Sequence, residues 1–300
     1  MSVIQCVDLT KAYGKLKAID HLTFDIDENK ITGLIGRNGS GKTTLLKMIS
    51  GYLIPTKGEL KVFSKKPFNS LEVSANSILI DDTMTFSDSL TLVDILKEMA
   101  PFYANWNSGL ALGLFDYYSF NPKQAHSNLS KGSKSTFNSI LGIASRCPLT
   151  IFDEPTIGMD SAVRKDFYRA LLKDYLEYPR TIILSSHMLS ELEGILEDIL
   201  LINEGTKRLH LPALELKELA VGLRGNAEVV LSFVEGKEII YQENFAQGSL
   251  YVVIRRGLIQ QHIDQIKQSG VEVSPVSTDD LCVYLTSKTK GGIDDVFKRS

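Results

Sequence analysis

GLIGRNGSGKTTLLKMISG, residues 33–51, sets a glycine-rich loop between an apolar run and a second apolar run with helical spacing. Glycine is costly to order, so glycines at Gly36, Gly39 and Gly41 imply that something must approach the bare backbone. GRNGSGKT matches the Walker A phosphate-binding pattern. Gly36, Gly41, Lys42 and Thr43 stand in its fixed places, Arg37, Asn38, Gly39 and Ser40 lie between, and Thr44 follows. Backbone amides can cradle phosphate oxygens only where no Cβ intervenes. A helix starting at Lys42 adds its N-terminal amides and partial positive charge. Lys42 is expected to reach the β- and γ-phosphates, and Thr43 to offer its hydroxyl to Mg²⁺.

Working outward, the loop sits in a chain that alternates strand and helix patterns. VIQCVDL, HLTFDID and KITGLIG read as strands, as do ELKVF and SILID. KTTLLKMISGYL reads as a helix ending near Gly51, Leu90–Tyr118 as helical, and KGSKSTFNSILGIASR as another helix. LTIF at Leu149 and TIILSS at Thr181 are continuous apolar strands of the kind buried in a parallel sheet. A helix from Ser161 separates them. This alternation predicts an α/β layered fold. A second regime begins near Pro212. There AEVVLSFVEG, KEIIYQ, GSLYVVIRR and VEVSPV read as strands and LIQQHIDQIKQSG as a helix, a small α+β domain over 212–300.

LTIFDEP supplies the second half of a nucleotide site. Its buried strand would deliver Asp153 to a Mg²⁺ shell. Glu154, at the strand end, would polarise a water for in-line attack on the γ-phosphate. His187, which follows the apolar run TIILSS, is a candidate contact to the γ-phosphate.

The bulk composition narrows the alternatives. With 43% hydrophobic and 23% charged residues the chain reads as an ordinary globular protein. A net charge of −3 gives no basic surface for nucleic acid. Three cysteines, Cys6, Cys147 and Cys282, lie far apart without metal-ligand spacing, which fits a reducing compartment. The opening MSVIQCVDLTK lacks the basic start and apolar stretch of a secretory signal. No apolar run of about 18 residues is present to span a bilayer. A cytoplasmic protein is expected, with any membrane role exerted through a partner.

The motifs in their order resemble those of ATP-binding cassette (ABC) ATPases. NLSKGSKSTF, with Ser130 and Gly132, resembles the family's signature motif. GMD, ending at Asp160, resembles its D-loop, and Tyr13 in KAYGK its adenine-stacking aromatic. FYANWN and PVSTDDLCVYLT are similar to bacterial exporter ATPases of the bacitracin-type, YtrB-like and phenol-soluble-modulin kinds. The resemblance implies a P-loop NTPase cassette over 1–211. It would have an antiparallel β subdomain, a helical subdomain inserted at about Thr83–Phe137, and the α+β domain as a regulatory or accessory part.

It also implies an ATPase with ATP and Mg²⁺ as substrate and cofactor, part of an exporter of peptides or antimicrobial compounds. Two cassettes would meet head to tail, as a homodimer or with a paralogous ATPase, each ATP lying between one Walker A and the other signature. A separate transmembrane permease would hold the pair at the inner face of the membrane. A non-transport ABC ATPase and a nucleotide-dependent resistance or sensing module are the alternatives. Two positions depart from the family pattern. Ser133 stands where the signature usually has glutamine. SILIDDT lacks the glutamine expected between Walker A and the helical subdomain. Register puts Asp82 at that place, as a metal-side residue, with Asp81 the other possibility.

Overall fold

The computed structural model describes residues 1–245, 248–255 and 263–287. The chain divides into two compact units, one of Met1–His187 and Glu191–His210, the other of Met188–Ser190 with the chain from Leu211 on.

The first unit contains two sheets. Strands β1 (Ser2–Tyr13), β2 (Leu16–Asp27) and β4 (Lys57–Val62) form a three-stranded antiparallel sheet in the order β2-β1-β4. Along β2 buried and exposed residues alternate, the mark of a sheet with one face on the core. The larger sheet is six-stranded. Its strands β3 (Ile31–Ile35), β5 (Ser77–Ile80), β6 (Leu149–Phe152), β7 (Thr181–Ser186), β8 (Asp198–Asn203) and β9 (Thr206–Pro212) run in the order β5-β6-β7-β3-β8-β9. The pairs β5·β6, β6·β7, β7·β3 and β3·β8 are parallel. Strands β3, β6 and β7 are buried at every position, so their continuous apolar runs are what a sheet covered on both faces requires. The helices are α1 (Lys42–Ile49), α2 (Leu71–Asn76), α3 (Leu92–Met99), α4 (Ser108–Tyr117), α5 (Lys131–Ser145) and α6 (Ser161–Glu177). Leu34 of β3, Leu45 and Leu46 of α1, Ile151 of β6 and Ile183 of β7 share one apolar cluster with Ile4, Leu22 and Phe24 of the smaller sheet. That cluster fixes the start of α1 against the ends of β3 and β6.

The second unit has its own core. Strands β10 (Ala220–Asn226), β11 (Ile239–Phe245), β12 (Ser249–Arg255) and β13 (Glu272–Pro275) make an antiparallel sheet in the order β11-β12-β10-β13. Helices α7 (Ala213–Glu218), α8 (Ala227–Val234), α9 (Ile263–Gln268) and α10 (Thr278–Thr286) accompany it. Leu223, Val230, Val252, Ile254 and Ile266 are fully buried together.

One expected strand is a helix. AEVVLSFVEG folds as α8, because the Asn226 side chain accepts a hydrogen bond from the Glu228 amide and caps its start. Val230 and Val234, one helical turn apart, are its buried pair. A short apolar run rich in valine carries no period that separates strand from helix. The strand from this stretch of sequence is instead AVGLRGN, β10, just upstream. Of the helix expected over LIQQHIDQIKQSG, the part Leu258–His262 lies outside the described residues, as does Arg256 at the end of the expected strand GSLYVVIRR.

Candidate functional site

The glycine loop joins β3 to α1, and its geometry explains its composition. Gly41 precedes the helix at φ 104°, a backbone region that L side chains rarely adopt. A Cβ there would also overlap the Ala18 carbonyl oxygen. Helices α3, α4, α5 and α6 begin with side-chain caps from Thr91, Asn107, Ser130 and Asp160. Helix α1 has no such cap, so its first amides are left for a ligand. The Ser40 hydroxyl beside them is buried without a hydrogen-bond partner. An uncapped helix start, an orphaned hydroxyl and a backbone stripped of Cβ atoms fit a phosphate chain.

A cavity of about 600 Å³ opens on this loop. Its wall carries Tyr13, Asn38, Gly39, Ser40, Gly41, Lys42, Thr43, Thr44, Asp82, Asp153, Glu154 and His187. Gly36 and Arg37 contribute carbonyl oxygens, which accept from Lys42 Nζ at 2.7 and 3.5 Å. Lys42 also lies 3.1 Å from Glu154 Oε1, and His187 Nδ1 is 2.9 Å from Glu154 Oε2. The Lys42 side chain is only 6% exposed, so these acceptors offset the desolvation of its ammonium.

Asp153, almost fully buried at the end of β6, is held from two sides. Thr43 Oγ1 donates to Oδ2 at 2.6 Å and Ser185 Oγ to Oδ1 at 2.5 Å. Because the Thr43 hydroxyl spends its proton on Asp153, its lone pairs remain for a cation. Among the described residues no group of three or more His, Cys, Asp and Glu could hold a metal. The donor set of one hydroxyl and one or two carboxylates suits Mg²⁺, which keeps several waters and takes its remaining ligands from substrate phosphates.

Asp82 and Asp81 point to different neighbours. Asp82 lines the cavity. Asp81 lies 3.9 Å from Lys47 Nζ, and its carboxylate accepts from the Thr83 amide and hydroxyl at 3.0 and 2.8 Å.

Ser130, Gly132 and Asp160 are not on this cavity. They line a second one of about 380 Å³, with Ser133, Gly158 and Met159. Ser130 Oγ accepts from the Ser133 amide at 3.2 Å and lies 2.9 Å from the Ser133 hydroxyl. A Cβ on Gly132 would overlap the Gly158 carbonyl oxygen, so the start of α5 and the loop before α6 touch backbone to backbone. Asp160 caps α6 by accepting from the Ala162 and Val163 amides.

Ser185 was not singled out by the sequence. Its hydroxyl donates to Asp153 and accepts from the Glu154 amide at 2.8 Å. This fixes Glu154 at φ 49°, an uncommon conformation for a non-glycine residue. Two serines ending an apolar strand just ahead of His187 were the available signal.

A family model described as ABC transporter matches residues 19–157. The bacitracin transport ATP-binding protein BcrA of Bacillus licheniformis is 28% identical, covering 97% of this chain and 98% of that protein. The ABC transporter ATP-binding protein YtrB of Bacillus subtilis is 30% identical, covering 67% of this chain and 71% of that protein. Among solved structures, an ATP-binding subunit of an ABC transporter superposes with a TM-score of 0.65 at 22% identity, over 72% of this chain and 92% of that one.

Proposed function

The chain belongs to the ATP-binding cassette family of ABC transporters and is an ATPase, and on that premise we propose that it powers export of a peptide or other antimicrobial compound through a separate transmembrane permease. The observation that carries the ATPase half of this reading is the convergence of Lys42, Thr43, Asp153, Glu154 and His187 on one cavity at the loop before α1. The export half is supported by the likeness along nearly the whole chain to a protein named for bacitracin transport. Among the described residues no helix is long and apolar enough to cross a membrane. In this reading the permease is a separate subunit, and the cassette works on its cytoplasmic side.

In the proposed mechanism the amides of the loop and of α1 bind the phosphates, and Lys42 exchanges its Glu154 contact for phosphate oxygens. Tyr13 stacks on the adenine. Thr43 and Asp153 are the residues that would hold Mg²⁺, with Asp82 beside them. Bound with ATP there, such an ion would neutralise phosphate charge. Glu154, released from Lys42, orients the attacking water and takes its proton, while His187 contacts the γ-phosphate. Ser130, Gly132 and Asp160 sit on a different cavity, which supports a head-to-tail pair of cassettes. Each pair member, a second copy or a paralogue, would close the other's ATP from the signature side.

Glu154→Gln tests the reading. The variant should bind MgATP, lose nearly all turnover and accumulate as an ATP-bound dimer by size-exclusion chromatography. Wild-type turnover in it would remove Glu154 from the mechanism. Affinity purification from membranes of the native host should bring down a multi-span integral protein, and its absence from solubilised membranes would refute the transporter assignment.

A further inference from the structure

The second unit takes in three residues from far upstream, Met188–Ser190, which directly follow His187. Within that unit both the Leu189 and the Ser190 amides donate to a single oxygen of Asp279, Oδ1, at 2.7 and 3.0 Å. Two successive amides on one carboxylate oxygen is the arrangement by which Asp160 caps α6 through Ala162 and Val163. Here the cap comes from a residue ninety positions later. The stretch after His187 runs through bends and turns instead of a regular helix. A side-chain acceptor is thus what holds these two amides. Leu189 is fully buried, so burial adds to the Asp279 hydrogen bonds in holding the segment.

The helix that carries Asp279 is well anchored. Ser277 caps α10 by accepting from the Asp280 amide at 3.1 Å, and its hydroxyl donates to the Asp280 carboxylate at 2.7 Å. Leu281 and Cys282 bury the helix, and Tyr284 stacks on Tyr241 of β11 at 4.0 Å between ring centroids. A carboxylate carried on so anchored a helix can set the backbone two residues beyond His187, and with it the direction of an imidazole that is half exposed.

We propose that Asp279 is a positioning residue for His187, through which the C-terminal unit sets the rate of ATP hydrolysis. The inference rests on the catalytic reading of His187 given above. Asp279 is not among the residues that line the nucleotide cavity, so its effect should fall on turnover and not on nucleotide affinity.

Full-length Asp279→Ala should lose about tenfold in kcat, equivalent to about 1.4 kcal/mol of barrier, with the KM for ATP within about twofold. Asp279→Asn, whose amide oxygen can accept the same two N–H groups, should recover most of the loss. Adding Asp279→Ala to His187→Ala should cost nothing more, because the group it positions is gone. Should the alanine variant fail to fold, Asp279→Glu keeps the charge, displaces the oxygen by one methylene and serves the same comparison. Equal losses with and without His187, or wild-type kcat in Asp279→Ala, would overturn the inference while leaving the ATPase reading intact. Wild-type turnover in His187→Ala alone would instead overturn the catalytic reading of His187, and this inference with it.

Discussion

Replacing Ser185 by alanine removes one hydroxyl and disturbs two acidic residues at once. The side chain is fully buried, so no water can take its place. The Glu154 amide loses its acceptor at 2.8 Å, and leaving a buried donor unsatisfied costs about 1–3 kcal/mol. Asp153 loses a donor at 2.5 Å, a charge-assisted bond worth about 1.5–3 kcal/mol. The two terms share one group and overlap, so a total of about 2–4 kcal/mol is expected. All of it bears on folding stability, and at about 2–4 °C per kcal/mol for a domain of this size it should lower the melting temperature by about 4–16 °C. Turnover should fall for a separate reason, because Glu154 is held at a positive φ by that amide bond, and a misplacement of about 1 Å can cost about a hundredfold. Ser185→Ala should therefore reduce kcat by about 10- to 100-fold. Nucleotide affinity measured without Mg²⁺ should change little, since Lys42 and the loop amides are untouched. Steady-state ATPase assays across a Mg²⁺ titration, with thermal unfolding of the same preparation, separate the two effects. A kcat within about twofold of wild type, a change of only about 0.4 kcal/mol, in a protein of unchanged melting temperature would refute the role given to this hydroxyl.

Four further outcomes follow from particular contacts. Tyr13 presents a half-exposed ring with Lys11 Nζ 5.2 Å from its centroid, so Tyr13→Ala should weaken ATP binding by about 1–3 kcal/mol while Tyr13→Phe keeps it; equal affinities would place the ring outside the adenine site. Asp82→Ala should shift the Mg²⁺ dependence of hydrolysis and reduce permease-stimulated turnover more than Asp81→Ala, whose carboxylate is engaged with Lys47 and Thr83; the reverse order would move the role to Asp81. Burial pushes the Cys6 and Cys147 thiols up to about 12, so iodoacetamide at about pH 8 should label them only after unfolding, and rapid labelling of the native protein would contradict the packing. Burial holds the His126 imidazole below its ordinary 6.5, against a hydrogen bond with Asn138 that pulls the other way. The unfolded chain therefore takes up this proton more readily, and the stabilising share of neutral His126 is present above pH 6.5 and is lost as pH falls below it. Melting temperatures of His126→Asn should then depend less on pH across that range than those of wild type, and parallel curves would refute it.

The features legible in the sequence were those whose physics is local. Gly36–Thr43 is a contiguous loop, and the need for Cβ-free backbone next to a helix start can be read from eight successive residues. Continuous apolar runs at Leu149 and Thr181 announced strands covered on both faces, and with them the α/β fold. Where the local signal was ambiguous, tertiary packing decided. AEVVLSFV became a helix because Asn226 caps it and Val230 and Val234 share a core with β10 and β12. Asp81 and Asp82 are adjacent and chemically identical, and only the fold turns one toward Lys47 and the other into the cavity. Ser185 on Asp153, and Asp279 on the amides after His187, join residues 32 and about 90 positions apart. Periodicity and spacing describe a few turns of chain. Contacts between distant segments are set by how the sheets and helices pack, so these hydrogen bonds were visible only once the chain was folded.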